Sequence, residues 1–249
     1  MADSRLIRIE NLTKRFGNLV VLNDISLHVD YGENFVVFGQ SGTGKSVLLK
    51  CIIGLLKPEA GNIFIKDKNI IELKKKELNK IRKNIGFLFQ GAALYDSMTV
   101  RENLEFTLKK NFNFTQKEID EKVINALEHV SLEEAIDKMP SELSGGMKKR
   151  IGLARSIITE PELMLYDEPT TGLDPITSKE ISELILTLQK RLNMTSIVVT
   201  HDLICANIIA DRAIFLRDSK ISYEGTIDEL VQSDDYFLRN FFSKEIIKE

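Results

Sequence analysis

Residues 39–46 read Gly-Gln-Ser-Gly-Thr-Gly-Lys-Ser, a full match to the pattern G-x-x-x-x-G-K-[ST]. The flanks narrow the choice of fold. NFVVFG, just before, is the short apolar run of a strand buried on both faces. VLLKCIIGLL, just after, has helical length and spacing and is ended by Lys57-Pro58. Strand, glycine-rich loop and helix in that order open a parallel α/β sheet. The loop glycines let successive backbone N–H groups turn inward around phosphate oxygens. The helix start adds unpaired N–H donors and positive dipole. Gly39, Gln40, Ser41, Gly42, Thr43, Gly44, Lys45, Ser46 and Val47 are therefore candidate nucleotide-binding residues. Lys45 is expected to reach the β- and γ-phosphates and Ser46 to place its hydroxyl on Mg²⁺.

Such a loop needs an acidic partner. LMLYD, at residues 163–167, is an apolar strand that ends in a carboxylate. Asp167 is the candidate magnesium ligand, bound directly or one water away. Glu168 follows at the strand end, where it either faces the γ-phosphate and polarises water or is a solvated loop acid. His201 closes another apolar strand, SIVVTH. A lone histidine is most often structural, but the C-terminal edge of an α/β sheet is where ligands bind. His28 and His129 lack that placement and are expected at the surface.

A second glycine turn, Ser144-Gly145-Gly146, runs into what reads as a helix, MKKRIGLAR. Free N–H groups at that start, with the Ser144 hydroxyl, form another anion site. It lies far in sequence from Lys45 and has no GKS of its own. One economical arrangement is a head-to-tail pair, each copy's turn covering the γ-phosphate held by the other's loop about a two-fold axis.

The remainder organises around these motifs. LIRIENLTKRF and VVLNDISLHV read as strands turning at Gly17-Asn18; GNIFIKD, IGFLF, LMLY and SIVVT are further strands. No strand pattern falls between residues 98 and 158, where Thr99 and Thr115 each open a capping box. ISELILTLQKRL reads as a helix, and AIFLRDSKISYEG as a hairpin turning at Asp218-Ser219. Thr226 caps a last helical segment whose stripe of Leu238, Phe241 and Phe242 must bury against its own core or a partner. With 249 residues, 43% of them hydrophobic, the chain can bury a sizeable core. A net charge of −3 gives no basic excess for nucleic acid. No run approaches the ~18 apolar residues of a membrane span. The start of the chain lacks the pattern of a signal peptide, so a cytoplasmic protein is expected. Cys51 and Cys205 sit in apolar contexts and are expected as buried thiols.

Read together, the motifs resemble the ATP-binding subunit of ABC transporters over nearly the whole length. In the family's order they are Phe16, the phosphate loop, Gln90, LSGGM, LMLYDE, TGLD at residues 171–174 and His201. The resemblance implies a P-loop NTPase cassette: a RecA-like α/β core, a small antiparallel β subdomain and a helical subdomain over about residues 91–160. The ATP-binding domain would span residues 1–225 and a helical tail 226–249. It also implies that Phe16 stacks on adenine, that Gln90 acts in catalysis at the metal, and that Glu168 and His201 are catalytic. Met147 replaces the usual signature glutamine, and Val47 stands where many members carry a hydroxyl that touches the α-phosphate. FLFQGAALYDSMTVRENL, LSGGMKKRIGLARSI and LYDEPTTGLDPITS resemble the cassettes of Mla and Mce-type lipid transporters, and Met147 fits that group. The resemblance implies ATP and Mg²⁺, a head-to-tail homodimer, a membrane permease and a mammalian-cell-entry-type partner at the cytoplasmic face of the inner membrane. Cassettes for another cargo, or soluble ABC ATPases of translation or chromosome maintenance, are the alternatives. Leu94, Tyr95 and Met98 either line a groove for a permease helix or pack the insertion onto the core.

Overall fold

The computed structural model describes residues 4–246, with side chains described as far as Phe242. Its centre is a six-stranded sheet of order β10-β9-β3-β8-β7-β6. The strands are β3 (Asn34–Gly39), β6 (Ile85–Leu88), β7 (Leu163–Asp167), β8 (Thr195–Val199), β9 (Arg212–Arg217) and β10 (Lys220–Gly225). β6, β7, β8, β3 and β9 run parallel, and β10 pairs antiparallel with β9. β3, β7 and β8 are buried at every position because both faces of the sheet are covered. Alternation sends Val36 and Phe38 into one core and Phe35 and Val37 into the other. Met164 and Tyr166 part from Leu163 and Leu165 in the same way.

On one face, α1 (Lys45–Ile52) and a four-stranded antiparallel sheet, order β2-β1-β4-β5, enclose the second core. That sheet comprises β1 (Arg5–Phe16), β2 (Leu19–Asp30), β4 (Ala60–Ile65) and β5 (Lys68–Asn69). On the other face lie α3 (Val100–Asn111), α4 (Gln116–Glu128), α5 (Gly145–Ile157), α6 (Pro175–Leu192) and α7 (Leu203–Ile209). Every regular element in residues 98–158 is helical. The capping boxes at Thr99, Thr115 and Thr226 form as the sequence leads one to expect. The hairpin turns at Asp218 and Ser219, both at positive φ (48° and 65°), as a tight turn between right-twisted strands requires.

Some expectations need correction. α1 starts at Lys45, two residues before the apolar run, and ends at Ile52, four residues before that run does. Its C-terminal carbonyls are closed by Gly54 (φ 66°) and by Leu55 and Leu56, whose N–H groups return to Lys50 O. α2 (Lys75–Arg82) fully buries none of its residues, and its short apolar stripe of Leu78 and Ile81 packs partly buried against the second core. Arg82 ties it down further, donating to Ile53 O and Gly54 O. His28 and His129 are half-buried rather than surface residues, and His129 Nδ1 is enclosed. After α8 (Ile227–Val231), α9 (Tyr236–Ile246) lays Leu238 and Phe242 on the chain's own core. The last three residues of the expected tail lie outside the described residues. Both cysteines are buried, and burial raises the Cys51 thiol to about 11 and the Cys205 thiol to about 12.

Candidate functional site

The C-terminal ends of β3, β6, β7 and β8 meet the start of α1 around a cavity of about 340 Å³. Val21, Ser41, Gly42, Gly44, Lys45, Ser46, Val47, Gln90, Glu168 and His201 line it. Residues up to 180 positions apart in sequence thus converge on one edge of the sheet, the expected place for a ligand in this architecture. Gly44 caps α1 at φ 98°, a left-handed conformation. A Cβ there would stand 2.8 Å from Val21 Cγ1 and 2.9 Å from Val21 O, so only glycine lets the loop lie against β2.

Two charge relationships organise the cavity. Lys45 is buried, and its Nζ donates to Gly39 O at 2.7 Å and Gln40 O at 3.0 Å. Glu168 Oε1 stands 3.6 Å from the same Nζ. Burial lowers the Lys45 pKa, and the nearby Glu168 and Asp167 charges oppose that shift. Glu168 sits at φ 51°, with its N–H on Val199 O at 2.9 Å. A non-glycine residue in this region is strained, and such strain persists where the surroundings fix it. Its Oε2 accepts from His201 Nδ1 at 2.8 Å and from Thr171 Oγ1 at 3.3 Å. An ionised acceptor requires the proton on Nδ1 of His201. Burial would raise the Glu168 carboxyl, but the hydrogen bond and charge of His201 and the charge of Lys45 outweigh it. The group stays below the ordinary carboxylate value.

Ser46 Oγ donates to Asp167 Oδ1 at 2.6 Å. The hydroxyl and that carboxylate, with Gln90 lining the same cavity, are oxygen donors of the kind a hard cation takes. Among the described residues no group of three His, Cys, Asp or Glu gathers to hold a metal. Mg²⁺ commonly uses only one or two carboxylates and takes its other ligands from water and substrate phosphates.

Other candidates lie outside the cavity lining. Gly39 and Gln40 face Lys45 through their carbonyls, and Thr43 Oγ1 bonds back to Gln40 O at 2.8 Å. Phe16, at the end of β1, is 47% exposed, with Lys14 Nζ 5.1 Å from its ring centre. Ser144 caps α5, accepting from Met147 N–H at 3.2 Å. Ser144 and Gly145 are exposed, and no acidic residue occupies the first turn of α5. Within one chain, Ser144, Gly145 and Gly146 do not join the loop cavity. Lys149 was missed by the sequence reading, because it stands in a basic run that looks solvated. It is 5% exposed and donates to the carbonyls of Gln90 and Glu168. Of the proposed groove residues, Tyr95 is exposed against the Phe106 ring, whereas Leu94 packs on the core.

Residues 22–171 match the protein family described as ABC transporter. The intermembrane phospholipid transport system ATP-binding protein MlaF of Haemophilus influenzae is 40% identical, over 98% of this chain and 92% of that protein. The probable ribonucleotide transport ATP-binding protein mkl of Mycobacterium leprae is 39% identical, over 95% of this chain and 68% of that protein. Among solved structures, the dimeric post-hydrolysis state of the ATP-binding cassette MJ0796, bound to ADP and Pi, superposes with a TM-score of 0.81. It is 32% identical, covering 89% of this chain and 98% of that one. Motif order, sheet-edge cavity and these likenesses agree: the chain belongs to the ABC transporter family, as an ATP-binding and ATP-hydrolysing subunit.

Proposed function

We propose that this ATPase drives a transporter of phospholipids or other hydrophobic molecules. It works as a head-to-tail homodimer, on the cytoplasmic face of the inner membrane, through a permease and a mammalian-cell-entry-type partner. The observation that carries the cargo is the 40% identity to MlaF along nearly the full length of both chains. Among the described residues no helix is long and apolar enough to cross a membrane, so attachment rests on the permease. Exposed Tyr95, beside the half-buried Met98, is the contact proposed for it. A different cargo is the second reading, favoured by the 39% identity to a relative described as a ribonucleotide transporter subunit.

In this reading residues 39–46 wrap the phosphates with N–H donors. Lys45 exchanges Glu168 and loop carbonyls for β- and γ-phosphate oxygens. Val47 offers no hydroxyl to the α-phosphate. Ser46 and Asp167 would hold Mg²⁺, with Gln90 beside it, and the ion neutralises phosphate charge when bound. Phe16 stacks on adenine. Glu168, ionised and aimed by His201 and Thr171, polarises the water that attacks the γ-phosphorus as the bond to ADP breaks. Ser144, Gly145 and Gly146 of the other copy cover the γ-phosphate.

The test is capture of the tagged chain from detergent-solubilised membranes, followed by identification of co-purifying subunits and lipid. A permease carrying phospholipid, released by Tyr95→Glu while ATP binding persists, supports the reading. A permease whose transport activity follows a polar solute would overturn the lipid cargo.

A further inference from the structure

α5 starts at the exposed Ser144 turn and then runs beneath its own chain's cavity. Lys149, Gly152 and Arg155 recur at intervals of three on one face. Lys149 Nζ donates to Gln90 O and, at 3.3 Å, to Glu168 O. Arg155 donates to Ala92 O at 2.7 Å and Ala93 O at 2.8 Å. Gly152 permits this closeness, since a Cβ there would lie 2.9 Å from Ala92 Cβ. Ala92 and Ala93 both hold positive φ, 58° and 51°, a conformation that L residues adopt only when something fixes it. The strip on α5 therefore fixes the segment that follows Gln90. Lys149 extends that grip to the backbone of Glu168. An ammonium is costly to bury unless its hydrogen bonds are made. Here burial lowers its pKa, opposed by the charges of Glu168 and Asp167.

Helix α5 therefore has two ends of business. Its first turn is the one proposed to cover the partner's γ-phosphate. Lys149, four residues on, lies roughly 6 Å further along the same rod and holds the backbone of two residues in its own site. We propose that Lys149 is a positioning residue that couples the two nucleotide sites of a dimer in both directions, tying the seating of α5 on one γ-phosphate to the placement of Gln90 and Glu168 at the other site. The proposal rests on the head-to-tail dimer. A misplacement of about 1 Å at a reacting group is enough to cost on the order of 10²-fold in rate, so a small shift of α5 suffices.

Heterodimers isolated through two affinity tags test it. One protomer carries Lys45→Ala, leaving a single competent loop. Lys149→Met is placed either in the protomer with the intact loop or in the Lys45→Ala protomer, whose α5 serves the active site only through its first turn. Coupling predicts that both placements lower kcat about ten-fold, the order lost with one charged hydrogen bond, while KM for ATP holds. Lys149→Arg should restore the rate in both. Loss only when the variant shares a chain with the intact loop makes Lys149 a local tether and overturns the proposal, as does loss in neither. If Lys149→Met does not fold, Lys149→Gln, which keeps an amide donor, replaces it under the same criteria. Wild-type rate per molecule is measured first against protein concentration. If it is independent of concentration, the dimer reading itself fails and the proposal goes with it, an outcome distinct from a failed coupling.

Discussion

Phe242→Ala probes how firmly the last helix is part of the fold. Phe242 is 1% exposed and meets the rings of Phe38, Phe215 and Phe241 edge-on, at 5.8, 6.4 and 5.1 Å. A phenylalanine buries roughly 150–250 Å², which at about 25 cal/mol per Å² is ~4–6 kcal/mol for the whole residue. Truncation to alanine keeps Cβ but leaves a cavity, and such changes cost ~3–5 kcal/mol. A ceiling applies, because α9 is terminal and can undock once its docking free energy is exceeded. The expected loss is therefore about 3 kcal/mol, the low end of that range. For a chain of this length it lowers Tm by roughly 6–12 °C. Leu238→Ala, 3% exposed on the same helix, should add less than its own single effect, since an undocked helix has nothing further to lose. Urea unfolding of the three variants measures both quantities. A Phe242→Ala protein within about 0.5 kcal/mol of wild type, the range of surface substitutions, would refute docking of α9 on its own core.

The signature turn is best challenged at Gly145. A Cβ at Gly146 would come 2.9 Å from Thr177 Cγ2 and disturb α6, whereas at Gly145 the nearest atom is Leu173 Cδ2 at 3.7 Å. Gly145→Asp should therefore retain its melting temperature yet abolish ATP turnover in a homodimer; near-normal turnover would remove the turn from the active site. The Glu168 carboxyl lies below its ordinary value of 4.5, so it contributes stability that is complete above that pH and lost as pH falls through its folded pKa. The stability advantage of wild type over Glu168→Gln should shrink on acidification below about pH 4.5, as read by urea titrations from neutral to acid; an advantage that grows in acid would contradict the assignment. Cys51 and Cys205, buried with raised pKa values, should resist maleimide in the native protein and react on unfolding; rapid native labelling would show that these cores open.

The sequence is most legible where geometry is local. The phosphate loop, the acid pair at the end of β7 and His201 all lie one step beyond apolar strands, and the strands are read from their residues alone. The hairpin at Asp218-Ser219 and the three capping boxes are likewise set by neighbours in the chain. What escapes is decided at a distance. α2 offers only the pair Leu78 and Ile81 as an apolar stripe, and an arginine reaching carbonyls at the end of α1 helps to hold it. α7 is short, and its signal was the Asp202 cap, whose Oδ1 accepts from Cys205 N–H at 3.1 Å. Lys149 stands between Lys148 and Arg150, and only the rotation of α5 against β6 distinguishes it from these half-buried neighbours. Whether the stripe on α9 faces its own chain or another depended on the free face of β9, where Phe215 waits beside Phe237, Phe241 and Phe242.

The central claim is that Glu168 activates water at a site completed by a second copy. One experiment addresses both halves: ATP turnover of Glu168→Gln, with its mass in solution followed by light scattering as Mg-ATP is added. Loss of a general base lowers rate by roughly 10²–10⁴, and because the ATP-bound state can no longer discharge, the variant should pass from monomer to a stable dimer that Lys45→Ala prevents. Turnover near the wild-type rate, or a mass unchanged by ATP at saturation, would contradict the account.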